Sequence, residues 1–201
     1  MTRLRTGVFV AVVGPSGTGK DSIIDGVQRV LASTHAEIAD DFIFTRRYIT
    51  RPKGNGEDHV EISHDDYLQK KKDGKFSLTW EAHGLSYALP CELIDYVKHG
   101  KIVVANISRG VLKELPDVFG NSLTVKVTTD ESVRLARLLK RGREEGDDVR
   151  KRLGRDDPAP EADTDLVIEN NGSLDDAIST MSRFLLDIDE SHRPPISTTP
   201  N

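Results

Sequence analysis

Residues 14–22 read Gly-Pro-Ser-Gly-Thr-Gly-Lys-Asp-Ser. The run matches the first seven positions of the phosphate-binding pattern G-x-x-x-x-G-K-[ST] and breaks the eighth. Its flanks constrain the fold. Val8, Phe9, Val10, Ala11, Val12 and Val13 form an apolar run of buried-strand length, and residues 21–31 carry the apolar spacing of a helix. A strand, a glycine-rich turn and a helix in that order open a parallel α/β sheet. Glycines let the backbone turn tightly and aim successive N–H groups at phosphate oxygens. The helix adds its positive N-terminal end, and Lys20 supplies a mobile ammonium for the outer phosphates. Gly14, Pro15, Ser16, Gly17, Thr18, Gly19, Lys20, Asp21 and Ser22 are thus the candidate nucleotide site.

The broken position is informative. The usual Ser or Thr after the lysine lends its hydroxyl to Mg2+. Here Asp21 stands in that place and Ser22 follows it. A carboxylate is a good Mg2+ ligand, directly or through water, which makes Asp21 a candidate metal residue. The bland alternative is an acid favoured in the first turn of a helix by its dipole. Both can hold at once.

The chain of 201 residues suits one domain with a full core, 36% apolar and 30% charged. A net charge of -5 gives no global basic field for nucleic acid or anionic membrane. The one cysteine, Cys91, excludes an internal disulfide and suits a reducing cytoplasm. No apolar stretch approaches membrane-spanning length, and the basic residues before the first apolar run precede a strand rather than a signal peptide. His and Cys lack metal-site spacing, so no zinc is expected.

Along the chain, 20–32 reads as a helix and 42–50 as one extended segment carrying Arg46 and Arg47. Residues 52–58 form a turn-rich loop, 64–73 a helix capped by Ser63, and 76–80 and 85–89 two strands joined through His83-Gly84. A helix over 92–99 is stopped by Gly100. A buried strand over 101–106, a short helix over 110–115 ended by Pro116, and a strand over 122–128 follow. The helix over 131–140 offers Val133, Leu135, Ala136, Leu138 and Leu139 to the core. A charged segment, a strand over 165–168 and a helix over 174–188 complete the fold. Alternating strands and helices imply an α/β domain, a parallel sheet with helices on both faces. A single domain over 1–189 is expected, with its core in 7–41 and 91–189. A β-rich inserted lobe falls at about 42–90 and an Arg-rich lid at about 141–158, and the Pro-rich tail 190–201 is expected to be disordered.

This order of parts resembles the guanylate-kinase superfamily of P-loop nucleoside-monophosphate kinases, with a β-rich acceptor lobe and a lid. Within it, the run at 14–22, Arg-Tyr-Ile-Thr-Arg at 47–51 and Trp-Glu-Ala-His-Gly-Leu-Ser-Tyr at 80–87 resemble the ribose 1,5-bisphosphate phosphokinase family of phosphonate breakdown. Asn-Ile-Ser-Arg at 106–109, Arg-Gly-Arg-Glu at 141–144 and Asn-Asn-Gly-Ser-Leu at 170–174 continue the likeness. The resemblance implies ATP and Mg2+, with the γ-phosphoryl of ATP moved onto the 1-phosphate of ribose 1,5-bisphosphate. The product is 5-phosphoribosyl 1-diphosphate. Guanylate kinases have a Tyr at His59, a Glu at Thr79 and an acidic Asp-x-Asp strand end at Ala105, Asn106 and Ile107, groups that hold GMP. A guanine reader needs such acceptors. This chain keeps phosphate-type groups and lacks the base-type ones.

The resemblance makes Arg47, Arg51 and Tyr87 substrate ligands and Lys20, Arg141 and Arg152 catalytic. Arg guanidinium binds phosphate bidentately. The alternative for Arg47 and Arg51 is a solvated edge with ion pairs. Arg109, just past a core strand end, is placed where α/β sheets bind ligands. Trp80 reads as core packing, with the ribose face as its alternative, and His83 as a structural turn residue, with substrate binding as its alternative. Arg137, Arg141, Arg143, Arg150 and Arg152 can stabilise phosphoryl-transfer charge, or form a salt-bridged surface. No general base is required, because a phosphate acceptor is already ionised. The competing readings are a kinase acting on GMP or a relative, and a non-catalytic guanylate-kinase-like module, which the presence of Lys20 disfavours. Oligomeric state stays open, a homodimer included.

Overall fold

Val8–Val13 (β1) contains no polar residue, and every one of its side chains is at most 1% exposed. Such a strand needs cover on both faces, and the chain supplies it. Val8, Val10 and Val12 pack against the helices Lys20–Thr34 (α1) and Leu174–His192 (α6). Phe9, Ala11 and Val13 face the opposite way, toward a second cluster. A side chain at Gly26 would collide with Ile178, so the glycine sets how closely α1 and α6 approach.

The computed structural model describes residues 6–54, 58–140 and 163–192, with only the backbone at 138 and 140. β1 is the centre of a five-stranded sheet. Its neighbours are Ile102–Asn106 (β7) and Ser122–Thr128 (β8), flanked by Phe42–Phe44 (β2) and Leu166–Glu169 (β9). Every pairing in the order β2-β7-β1-β8-β9 is parallel. A second sheet holds Tyr48–Ile49 (β3), Val60–Glu61 (β4), Phe76–Ala82 (β5) and Leu85–Pro90 (β6) in the order β4-β3-β6-β5. β5 and β6 form a two-residue hairpin with His83 and Gly84 both at positive φ, the turn that suits the strand twist. The helix His64–Lys72 (α2) is capped by Ser63, whose hydroxyl accepts from Asp66 N.

The second sheet is not independent of the first. Leu78 and Trp80 of β5 and Leu89 of β6 join Phe9, Ala11 and Val13 in one apolar cluster. That cluster also includes Leu93 and Val97 of Glu92–Lys98 (α3) and Leu115 and Phe119 of Leu115–Phe119 (α4). Phe9 and Phe119 stack with ring centroids 4.0 Å apart.

Several sequence expectations change. The single segment over 42–50 is split between sheets, so β2 is a core strand inside the range drawn for the lobe. The reason is tertiary: Phe42–Phe44 pairs with β7, while Tyr48–Ile49 pairs with β6. Pro116 begins α4 rather than ending a helix, because a first-turn proline lacks only an N–H that would have no helical partner. The turn before it is a 3-10 helix, Arg109–Glu114. α6 is helical through His192, past the start assigned to the tail. In Glu131–Lys140 (α5), Leu135, Ala136 and Leu139 are exposed and Val133 is half-buried, while the Leu138 side chain lies outside the description. Arg134 and Arg137 take the covered face instead. The lid range 141–158, with Arg141, Arg143, Arg150 and Arg152, lies outside the described residues, as does the tail from 193. Among the described residues no helix is long and apolar enough to cross a membrane.

The shared cluster makes a test of cooperativity. Leu89→Ala should cost about 2–5 kcal/mol, as for a fully buried leucine. Unfolding should stay one transition by both circular dichroism and Trp80 fluorescence. A separate early transition in the fluorescence alone would mean that the second sheet melts by itself.

Candidate active site

The chain leaves β1 at the place where the strand order turns back, with β7 on one side and β8 on the other. Open α/β sheets bind ligands at this point, beyond the carboxyl ends of the strands. Gly14 leaves the strand at φ 147, and a side chain there would collide with the Val127 carbonyl. Gly19, at φ 91, begins α1, and a Cβ on it would lie 2.5 Å from Asn170 Nδ2. Only glycine fits either place.

Side chains engage the loop's carbonyls. Lys20 Nζ donates to Gly14 O at 2.7 Å and to Pro15 O at 2.9 Å. Thr18, fully buried, donates through Oγ1 to Pro15 O at 3.0 Å. Arg134 Nε reaches Ser16 O at 3.3 Å, and Asn170 Nδ2 reaches Thr18 O at 2.8 Å. A loop whose carbonyls are occupied this way can commit its N–H groups to an anion.

Asp21 is exposed, yet its Oδ1 meets two donors. Asn106 Nδ2, from the end of β7, lies 2.6 Å away, and Arg47 Nη2, from the connector between β2 and β3, lies 3.3 Å away. Arg46 pairs with Asp58 at 3.2 Å. One turn along α1, Asp25 has its pKa raised above the ordinary 3.8, by partial burial first and then by Asp21 and Asp58, with Arg29 opposing.

Arg109 begins its 3-10 helix behind a Ser108 cap, whose Oγ accepts from Gly110 N at 3.3 Å. Burial lowers the Arg134 pKa, Glu131 opposes that shift, and Arg109 adds to it. Two guanidiniums therefore share the neighbourhood of the loop. Arg137 Nη1 and Asn170 Oδ1 are buried beside Gly19 and have no hydrogen-bond partner among the described residues. Arg137 also lines a shallow depression of about 340 Å³ with Ser132, Val133 and Ala136.

The structure thus brings Asp21, Arg47 and Asn106 into direct contact, sets Lys20 on the loop carbonyls, and places Arg109 within electrostatic reach of Arg134. Arg51 and Tyr87 lie in the second sheet's region. His59, 2% exposed, sets its Nε2 3.2 Å from the Arg51 carbonyl and so anchors that backbone. Tyr87 stacks on Trp80 across β5 and β6, centroids 5.4 Å apart and planes within 5°. Trp80 is core, 8% exposed. Sequence reasoning missed Arg134 and the brace role of Asn170. An arginine in a charged helix and an asparagine in a polar turn carry no local signal of a loop carbonyl far along the chain.

The raised Asp25 pKa has a consequence for stability. Its ionisation is harder in the folded state, so stability falls as pH rises through the window that starts at 3.8. Asp25→Asn should therefore raise the melting temperature at pH 7, and the gain should vanish below pH 3.8, measured by thermal melts across pH.

No protein-family model matches the chain. It is 41% identical over 186 residues to ribose 1,5-bisphosphate phosphokinase PhnN of Pseudofrankia inefficax, covering 92% of this chain and 94% of that protein. The corresponding protein of Rhizobium etli is 39% identical, with 89% of each covered. A bifunctional ribose 1,5-bisphosphokinase-thymidine phosphorylase of Cupriavidus pinatubonensis is 42% identical over 172 residues, and the chain spans 28% of its length. The crystal structure of guanylate kinase from Anaplasma phagocytophilum superposes with a TM-score of 0.66, covering 97% of this chain and 90% of that one. At 17% identity it shows the fold, a guanylate-kinase-like α/β sheet. With relatives matched along nearly their whole length, the chain belongs to the ribose 1,5-bisphosphate phosphokinase family.

Proposed function

We propose that this protein transfers the γ-phosphoryl group of ATP to the 1-phosphate of ribose 1,5-bisphosphate, giving 5-phosphoribosyl 1-diphosphate and ADP. Family membership supports the reaction. The observation in the site that carries it is a phosphate loop with its lysine in place, beside Arg47, with Thr79 and Ala105 where a guanine reader needs carboxylates. A sugar bisphosphate offers two phosphates and no base, which suits that set.

In this reading Lys20 and the loop N–H groups of residues 14–22 hold the β- and γ-phosphates. The loop, Arg134 and Asn170 bonds support a pre-organised cradle. Arg47, Arg51, Tyr87 and Arg109 take the acceptor's phosphates, and Arg141 and Arg152 neutralise charge on the transferring group. Arg137 and Asn170, each with a buried polar atom unpaired among the described residues, suit a nucleotide's polar edge. The acceptor oxygen is already ionised near neutral pH, so the chain's work is alignment and charge neutralisation.

The residues fit a magnesium ion. Asp21 supplies a hard carboxylate oxygen, and among the described residues no cluster of three or more His, Cys, Asp or Glu could hold a metal. Mg2+ is commonly held by one or two carboxylates plus substrate phosphates. When bound there it would offset phosphate charge. One free cysteine and the small-molecule substrates support a cytoplasmic setting.

Lys20→Ala should lower phosphoryl transfer about a hundred- to a thousandfold while the melting temperature stays near the wild type, since the lysine serves loop carbonyls and phosphates rather than the core. Turnover close to normal would remove the loop from the mechanism. Supplied side by side with radiolabelled ATP, ribose 1,5-bisphosphate should accept phosphate far faster than GMP. The reverse order would make the protein a nucleoside-monophosphate kinase.

A further inference from the structure

Asn106 is the last residue of β7, paired in register with Val12 and 5% exposed. A buried strand end is a poor place for an amide unless the amide has a task. Its Nδ2 has one, the 2.6 Å bond to Asp21 Oδ1, short and charge-assisted. Its Oδ1 is buried and unpaired among the described residues. Half of the side chain is therefore unfavourable where it sits, and the other half is committed to Asp21. Arg47 meets the same Oδ1 from the opposite element. One carboxylate oxygen is thus taken by two donors.

The pairing also explains why residue 106 is not acidic. A carboxylate there would face that of Asp21 across the present 2.6 Å, and two such groups cannot both ionise without a shared proton or cation. Placing the acid on the loop requires a donor at the strand end.

We propose that Asn106 is a positioning residue for phosphoryl transfer, holding Asp21 Oδ1 so that Oδ2 serves the metal of the bound nucleotide. The inference rests on the reading of Asp21 as the magnesium residue, and the two can fail separately. Mn2+ binding to the ADP complex, followed by electron paramagnetic resonance, measures the metal without turnover. The proteins compared are wild type, Asn106→Ala, Asp21→Asn and the double variant.

Asn106→Ala should weaken Mn2+ about ten- to a hundredfold, the worth of one hydrogen bond to a charged group, with little change in melting temperature. In the Asp21→Asn background the same substitution should add nothing, because Asn106 acts through Asp21. Equal losses in both backgrounds would assign Asn106 a purely structural role and overturn the proposal. Unchanged Mn2+ binding in Asn106→Ala beside a loss in Asp21→Asn would also overturn it, leaving Asp21 as the metal residue. No change in Asp21→Asn would instead remove Asp21 itself. A second variant covers a failure of Asn106→Ala to fold. Asn106→Asp should melt lower than wild type at pH 7 without metal and recover on adding Mg2+. Wild-type stability without metal would contradict the pairing.

Discussion

The phosphate loop can work only if its carbonyls stay engaged elsewhere. A turn of six residues between a buried strand and a helix exposes both N–H and C=O groups, and only the first suits an anion. Here the opposing set is engaged by side chains: Lys20 and Thr18 from the loop itself, Arg134 from α5 and Asn170 from the turn after β9. The last two lie 118 and 152 residues from their acceptors. The loop's geometry is therefore a property of the whole sheet, because the segments that follow β8 and β9 carry the braces.

The same logic joins the second sheet to the loop. β2 anchors the connector carrying Arg46 and Arg47 in the core sheet, and β3 passes it into the second sheet. Arg47 reaches back to Asp21, while Leu78, Trp80 and Leu89 extend the core's apolar cluster into the second sheet. Charge on one side and burial on the other fix how the two sheets meet.

Local signals carried much of this. The apolar run of β1, the glycine-rich loop, the Ser63 cap and the His83-Gly84 turn all follow from neighbours in sequence, and the structure has each of them. The fold class followed from the alternation of strands and helices, and the family from motifs spread along the chain. What local reading missed depended on distant partners. The split of 42–50 is decided by which strand each half meets, β7 or β6. Pro116 reads as a stop or a start depending on where the preceding 3-10 turn ends. The exposure of Leu135 and Leu139 follows from arginines claiming the other face of α5. The Asn106–Asp21 bond spans 85 residues, so nothing near either residue announces it.

The Trp80–Tyr87 stack has an optical consequence. Trp80 is the chain's one tryptophan, shielded from water and lying parallel to a tyrosine assigned to the acceptor. Indole emission follows its immediate surroundings, so a sugar phosphate held by the Tyr87 hydroxyl, the contact proposed above, would perturb the ring beneath it. Under that assignment the protein carries a native chromophore against its acceptor ligand, one that would report acceptor binding without an attached label.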